Sequence, residues 1–347
     1  MPRRVTLADV SRAAGVGIAT VSRALGDHPD VSAATRDRVQ AVAQELGYRP
    51  SVTARALRSG GFHAISAVVP GAGWEWWDPV IRAAAERAGE RGFRLLIHPV
   101  TAGPGGLAAT VDGLANIPTE GAIVISVPDQ DAVRAACDRI SLPAVAIDDT
   151  SRLVRFPTVS AQNREGARAV VEHLIQRGRR SIALVRGAFD EADTRWGDGL
   201  FMDERTAGYQ EALEAAGIPF DERLVVDCAD SFDETADTWP ELDRLLDAGP
   251  PIDAVFCIAD LMAAPALRSL RAHGLGVPAD VAVAGFDDER AARLLDPQLT
   301  TARQPYVQMG ATAVDLLLRL IDGERLPTTR QHLPTELIVR GSTDSGS

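Results

Sequence analysis

Apolar residues recur at helical spacing in three short stretches near the start of the chain. Leu7 and Val10 mark a first helix, opened by Thr6 and Asp9 in the manner of a capping box. Gly15 breaks it. Val21 and Leu25, one turn apart, give a second helix after a tight turn. Val39, Val42 and Leu46 stripe a third, entered at Val31-Ser32 and ended by Gly47. Helix, glycine turn, helix is the helix-turn-helix pattern, whose second helix enters the DNA major groove. Tyr48-Arg49-Pro50 must be extended, because the residue before proline is pushed out of the helical region. Residues 51–58 could form one more short helix before Ser59-Gly60-Gly61, so a domain boundary is expected at about residue 61.

Beyond that point the period changes. Strand-like apolar runs cover Ala64–Val69, Arg94–His98, Gly121–Val127, Ala144–Ile147, Ser181–Val185, Ala254–Ile258 and Val281–Ala284. Helical stretches such as Pro79–Arg91, Arg164–Gln176, Glu204–Ala216 and Met262–His273 lie between them. Alternation of this kind predicts an α/β architecture, parallel sheets covered by helices, as one large sheet or two lobes. Ligands in such folds sit outside the carboxyl ends of the strands.

Charge separates the same two regions. Up to Gly61 there are nine arginines and five carboxylates, a balance of +4; the remainder carries −16 of the net −12. A basic head on an acidic body is expected where only the head touches polyphosphate. The chain contains no lysine. Cys137, Cys228 and Cys257 are too widely spaced for a metal site and read as small buried residues of a reducing compartment. Met1 leads straight into Pro-Arg-Arg with no apolar leader, and no apolar run could span a bilayer, so a cytoplasmic protein with no membrane partner is expected. The six histidines are scattered, and no G-x-S-x-G, P-loop or H-E-x-x-H motif occurs. No enzyme activity, cofactor or metal is therefore expected. The pairs Asp148-Asp149 and Asp287-Asp288 follow strand-like runs, where carboxylates could serve acid–base chemistry or accept hydrogen bonds from sugar hydroxyls. Binding is preferred.

The segments VTLADVSRAAGVGIATVSRAL, DVSAATRDRVQAVAQELGYRPS and ARALRSG together resemble the DNA-binding head of the LacI/GalR family of bacterial transcriptional regulators, without gaps over about 55 residues. The body resembles that family's sensor, two periplasmic-binding-protein-like lobes of type I, most closely at 165–187, 204–213, 274–288 and 299–305. The resemblance implies a helix-turn-helix domain at 1–50, a hinge helix and linker at 51–61, and an effector-binding and dimerisation domain at 62–341. Within it, an N-lobe would take about 62–160 and 290–323 and a C-lobe about 161–289 and 324–341, before a polar tail at 342–347.

On the exposed start of the second helix, Arg23 can contact guanine O6 and N7 in a bidentate manner, though it could equally be a solvated surface arginine. Ile18 and Ala19 suit thymine methyl groups, and the hydroxyls of Thr20, Ser22 and Thr6 suit phosphate. Gly17 stands where the family usually has serine; as a cap it is tolerated, but a phosphate-binding hydroxyl is lost. Residues 51–58 alone are too few for a stable helix. The resemblance implies a hinge helix there that pairs across a homodimer, with Ala54 allowing close approach and Leu57 wedged into the minor groove.

Carried over by position, the effector site would draw on Asp148, Arg205, Asp287 and Gln304. Trp74, Trp76 and Trp77 are expected in the loop after the first strand, where an aromatic face could stack on a sugar ring or simply pack the core. Ala259 and Gln162 replace the family's usual asparagine and aspartate, so the ligand's hydroxyl pattern differs from familiar ones. The expected function is that of a repressor of carbohydrate uptake or catabolism genes. It would bind a near-palindromic double-stranded operator as a dimer, controlled by a small-molecule effector, a sugar or sugar derivative. Rival readings are the same regulator with a nucleoside or purine effector, a solute-binding protein without regulatory role, and a sugar-processing enzyme on a DNA anchor.

Overall fold

The computed structural model describes residues 5–26, 28–48, 61–71, 74–100, 106–126, 129–147, 151–187, 199–229 and 236–344, with the side chains of 74–76 excepted. They fall into two compact units, Met1–Ala64 with Asn116–Glu120, and Ile65–Ala115 with Gly121–Ser347.

In the first unit three helices share one small core: α1 (Leu7–Ala14), α2 (Ile18–Leu25) and α3 (Ala33–Glu45). Val10, Ala14, Val21, Ala24, Val31, Val39 and Ala43 are buried together, with Leu25 packed against them. The capping box is present: Asp9 N–H meets Thr6 Oγ1 and the Asp9 carboxylate accepts from Thr6 N–H. Gly15 closes α1 at φ 65°, a left-handed conformation that disfavours any side chain.

The second unit contains two six-stranded sheets. Its elements run β1 (Ala64–Val69), α4 (Trp74–Glu90), β2 (Arg94–Pro99), α5 (Gly106–Gly113), β3 (Ala122–Ile125), α6 (Gln130–Arg139), β4 (Ala144–Ile147), β5 (Thr158–Ala161), α7 (Asn163–Gln176), β6 (Ile182–Gly187), α8 (Leu200–Ala215), β7 (Val225–Cys228), α9 (Pro240–Ala248), β8 (Ala254–Cys257), α10 (Ala263–Ala272), β9 (Ala282–Asp287), α11 (Arg290–Leu294), β10 (Thr300–Arg303), α12 (Tyr306–Ile321), β11 (Arg330–Leu333) and β12 (Glu336–Ile338). The first sheet is ordered β11-β5-β4-β3-β1-β2 and the second β12-β10-β9-β8-β6-β7. Their central strands, such as β1, β3, β4, β8 and β9, are buried along their whole length, as strands covered on both faces must be.

Strand pairing moves two of the expected lobe boundaries. β10 runs parallel to β9, with Thr300–Arg303 opposite Ala284–Asp287, so residues 300–303 belong to the second sheet and not to the first lobe. β11 runs parallel to β5, so residues 330–333 belong to the first sheet. The chain therefore changes sheets after Arg303 and after Leu333 instead of at 290 and 324. Nor does a free tail begin at 342. Ser342 and Thr343 are buried; Ser342 Oγ accepts from Thr300 N–H at 2.8 Å and donates to the Val283 carbonyl at 2.6 Å. The three cysteines are buried free thiols; burial pushes Cys137 up to about 11 and Cys228 to about 12.

Candidate functional site

Two groups of residues carry candidate chemistry, one in each unit. On α2, burial of Val21 and Ala24 leaves Ile18, Ala19 and Arg23 exposed and Thr20 and Ser22 half-buried. Ile18 is 53% exposed, so its apolar side chain is available on the surface of the helix. Among the described residues the Arg23 guanidinium has no carboxylate partner, whereas Arg12 pairs with Asp9 and Arg36 donates to the carbonyls of His28 and Val31. Thr6 is less available than expected. Its hydroxyl donates to Asp9 Oδ2 at 2.7 Å, so that proton must turn before it can reach a phosphate. Gly17 caps α2 with no side-chain hydrogen bond. Ala54 and Leu57 lie outside the described residues.

The second group gathers at the carboxyl ends of β8, β9 and β10, where an open parallel sheet places its ligands. Arg205, on α8, is 3% exposed. Its Nε donates to Asn163 Oδ1 at 2.9 Å, its Nη1 donates to the Ile258 carbonyl at 2.5 Å, and its Nη2 lies 3.1 Å from Asp287 Oδ1. The guanidinium sits 3.7 Å from the Phe286 ring centroid and 5.3 Å from that of Phe201, within cation–π range of both. Gln304 Nε2 donates to Asp287 Oδ1 at 2.6 Å. Gln304 Oε1 is buried without a hydrogen-bond partner among the described residues. A buried acceptor left in this way costs about 1–3 kcal/mol until something donates to it. The nitrogen of the same amide donates to Asp287, the carboxylate that also meets Arg205.

The two members of the 287–288 pair do different work. Asp288 has a fully buried carboxylate that accepts from Arg293, Arg303 and Arg340. Burial alone would raise its pKa, but hydrogen bonds from Arg340, Arg303 and Arg293 outweigh that and hold it below the usual carboxylate range. Asp287, by contrast, meets Arg205 and Gln304. Both residues have positive φ, 121° and 54°. Such strain persists only where neighbours over-determine it. Here they do: Thr301 Oγ1 accepts from Asp288 N–H, Asp260 Oδ2 accepts from Glu289 N–H, and Gln304 N–H donates to the Asp287 carbonyl. Asp260 has no exposed surface; burial, and then the charge of Asp287, push its pKa well above the ordinary value.

Tyr306 opens α12 and packs edge-on against Trp77, with ring centroids 6.4 Å apart. Burial, reinforced by Asp287 and Glu289, raises its hydroxyl pKa well above the usual value. The three tryptophans do not lie in a loop as expected. Backbone 74–77 is the first turn of α4, and Trp77 is 6% exposed in the core of the first sheet. The side chains of Trp74 and Trp76, and all of Asp148, lie outside what is described. The structure thus brings together Arg205, Asp287 and Gln304. It adds Asn163, the Ile258 carbonyl, Phe201, Phe286 and Tyr306, which the sequence reading did not single out. One clue to Asn163 was available: a buried arginine needs acceptors, and asparagine opens the helix directly after β5.

A three-helix DNA-reading head joined to a two-sheet body with a buried polar cluster at its strand ends defines a ligand-controlled DNA-binding regulator. Comparison with known proteins agrees. Residues 6–51 match the family described as bacterial regulatory proteins, lacI family, and residues 171–343 match the periplasmic binding protein-like domain. The chain is 34% identical to the HTH-type transcriptional regulator CelR of Thermobifida fusca, over 98% of each chain. A solved complex of the transcriptional regulator CelR with cellobiose matches 98% of this chain and 100% of that one, at 33% identity and a TM-score of 0.69. The lac repressor dimer bound to operator and the anti-inducer ONPF matches 98% of this chain and 99% of that one, at 27% identity and a TM-score of 0.82. The chain belongs to the lacI family of bacterial transcriptional regulators, and it is a DNA-binding regulator and not an enzyme. Among the described residues no helix is long and apolar enough to cross a membrane.

Proposed function

We propose that this regulator is a cytoplasmic repressor of carbohydrate uptake or catabolism genes, that it grips a near-palindromic operator as a homodimer, and that a small sugar releases it. The observation that carries the effector half is Gln304 Oε1, buried without a hydrogen-bond partner among the described residues, beside Arg205 and Asp287. Sugar hydroxyls both donate and accept, as that trio requires. Asp148, Trp74 and Trp76 would complete the site. The relatives support the reading: one was solved with cellobiose and another as a dimer on its operator.

On DNA, Arg23 reads guanine, Ile18 and Ala19 meet thymine methyls, and Thr20 and Ser22, with Thr6 once its hydroxyl turns, hold phosphates. Ala54 and Leu57 act in a hinge helix that forms only against its dimer mate and DNA. Sugar binding draws the two halves of the body together and undoes that pairing, an order–disorder switch driven by differential affinity. Selection of operators from random DNA, followed by challenge with cellobiose and other sugars, tests the whole reading. Arg23→Ala should lower specific operator affinity by about 1–3 kcal/mol and leave sugar binding intact. An unchanged sequence preference would sink the readout assignment.

A further inference from the structure

The end of the linker is held by a carboxylate remote from it in sequence. Glu120 Oε1 accepts from His63 N–H at 2.6 Å, and Glu120 N–H donates to the Ala64 carbonyl at 2.9 Å. The next bond along, from Ser66 N–H to the Gly121 carbonyl at 2.9 Å, leads into the parallel pairing of β1 with β3. Glu120 is therefore fixed through its backbone at the edge of a central strand pair, while its side chain grips the residues before β1. The segment that carries it, Asn116–Glu120, groups with Met1–Ala64 in one compact unit.

Two features of the linker show that this grip constrains it. His63 has φ 49°, a left-handed conformation that a residue other than glycine keeps only where its neighbours over-determine it. At Gly61 a Cβ would stand 2.6 Å from Glu120 Oε1 and 3.1 Å from its Cδ. Any side chain at 61 would have to push the carboxylate aside. The bond to His63 is also charge-assisted, roughly twice as strong as a neutral one. Pro118, two residues before Glu120, stiffens the approach from the other side.

A dimeric reader must hold two heads at a set separation along the duplex. Slack in the chain lowers the effective concentration of the second head at its half-site. Each backbone residue that must be ordered anew on binding costs about 5-fold or more in the equilibrium constant.

We infer that Glu120 is a positioning residue for operator recognition: its carboxylate anchors the linker at His63, Gly61 leaves room for it, and the anchor makes binding selective for half-site spacing. This rests on the paired-head reading above and on no effector. The test measures binding of the full-length protein to three kinds of DNA: the selected operator, one half-site alone, and operators with base pairs added or removed between the half-sites. Glu120→Ala should bind the operator about 5-fold or more weakly, bind the half-site as the native protein does, and tolerate altered spacing better. Loss of stability alone would weaken operator and half-site together. Glu120→Gln, which keeps an acceptor oxygen but no charge, should fall between. Gly61→Ala should mimic Glu120→Ala and add nothing to it, because it acts by displacing the same carboxylate. A Glu120→Ala protein that melts normally and keeps native operator affinity and spacing preference overturns the inference. So do Gly61→Ala and Glu120→Ala effects that simply add. A native protein indifferent to whether half-sites are paired overturns the paired-head reading first, and the anchor's role with it.

Discussion

The two sheets of the body are built alike and furnished differently. Strand for strand their orders correspond: β1 takes the place of β6, β2 of β7, β3 of β8, β4 of β9 and β5 of β10. Each is covered by a helix pair that meets at a glycine. In the first, Gly310 of α12 lies so close to α4 that a Cβ would stand 2.4 Å from the Val80 carbonyl oxygen and 2.9 Å from Ala84 N. In the second, Gly208 of α8 repeats the arrangement against α7, at 2.2 Å from the Arg164 carbonyl oxygen and 2.9 Å from Arg168 N. The side chains at the strand ends differ. The second sheet presents Asp287 and Gln304 to Arg205, while the first contributes Trp77 and Tyr306. A common scaffold leaves the strand ends free to specialise, one wall holding polar groups and the other supplying apolar surface.

The scaffold half of this comparison can be broken with a matched pair. Gly208→Ala and Gly310→Ala each gain helix propensity of about 1 kcal/mol but drive a methyl group into a backbone carbonyl. Overpacking costs typically about 1–3 kcal/mol and more where backbone must move, so clash outweighs propensity. Both variants should unfold earlier in denaturant by comparable amounts. Strong destabilisation by one and none by the other would show that the two helix pairs are not equivalent.

Much of this was legible in the sequence, and the failures have physical causes. The head was readable because caps, glycine turn and apolar spacing all agree in it, and Val21 and Ala24 are buried as the pattern requires. β1 and β4 were placed to the residue, since continuous apolar runs mark strands buried on both faces. β5 (TVSA) and β10 (TTAR) escaped because their buried positions hold Thr and Ser, whose hydroxyls are satisfied internally: Thr158 Oγ1 donates to the Phe156 carbonyl and Thr301 Oγ1 to Asp260. The sheet crossings were carried over from the resemblance, and with β10 and β11 unrecognised no strand in the sequence could correct them. Asp287 was set apart from Asp288 by the resemblance alone; the residue pattern could not separate them, because their roles depend on a turn with two positive φ values.

A smaller effect compares the same two halves by pH. His98 on β2, hydrogen-bonded to Ser66, has a pKa lowered by burial. His173 on α7, hydrogen-bonded to Thr343, is lowered by burial and then by Arg177, against a weaker opposing pull from Asp344. In both cases the unfolded state takes up its proton first. Stability is thus fully present above the unfolded value near 6.5 and is lost as pH falls from there toward the folded pKa. Each slope stays below about 1.4 kcal/mol per pH unit, the limit for one proton, and lower still because water reaches both rings. His98→Gln and His173→Gln should each flatten part of the acid limb in melts between pH 7 and 5. A limb that keeps its full slope in the double variant assigns it to other groups.

The central claim is that the polar wall of the second sheet receives the effector and thereby controls the head. The direct measurement is operator affinity with and without a saturating sugar, in the native protein and in Arg205→Ala. The native protein should lose operator affinity when sugar is added. Arg205→Ala leaves Asp287 and Asn163 without their partner, which destabilises the fold by about 3–5 kcal/mol; measured well below its own melting transition, it should bind operator and ignore the sugar. Release of Arg205→Ala from the operator at the native sugar concentration would contradict the account.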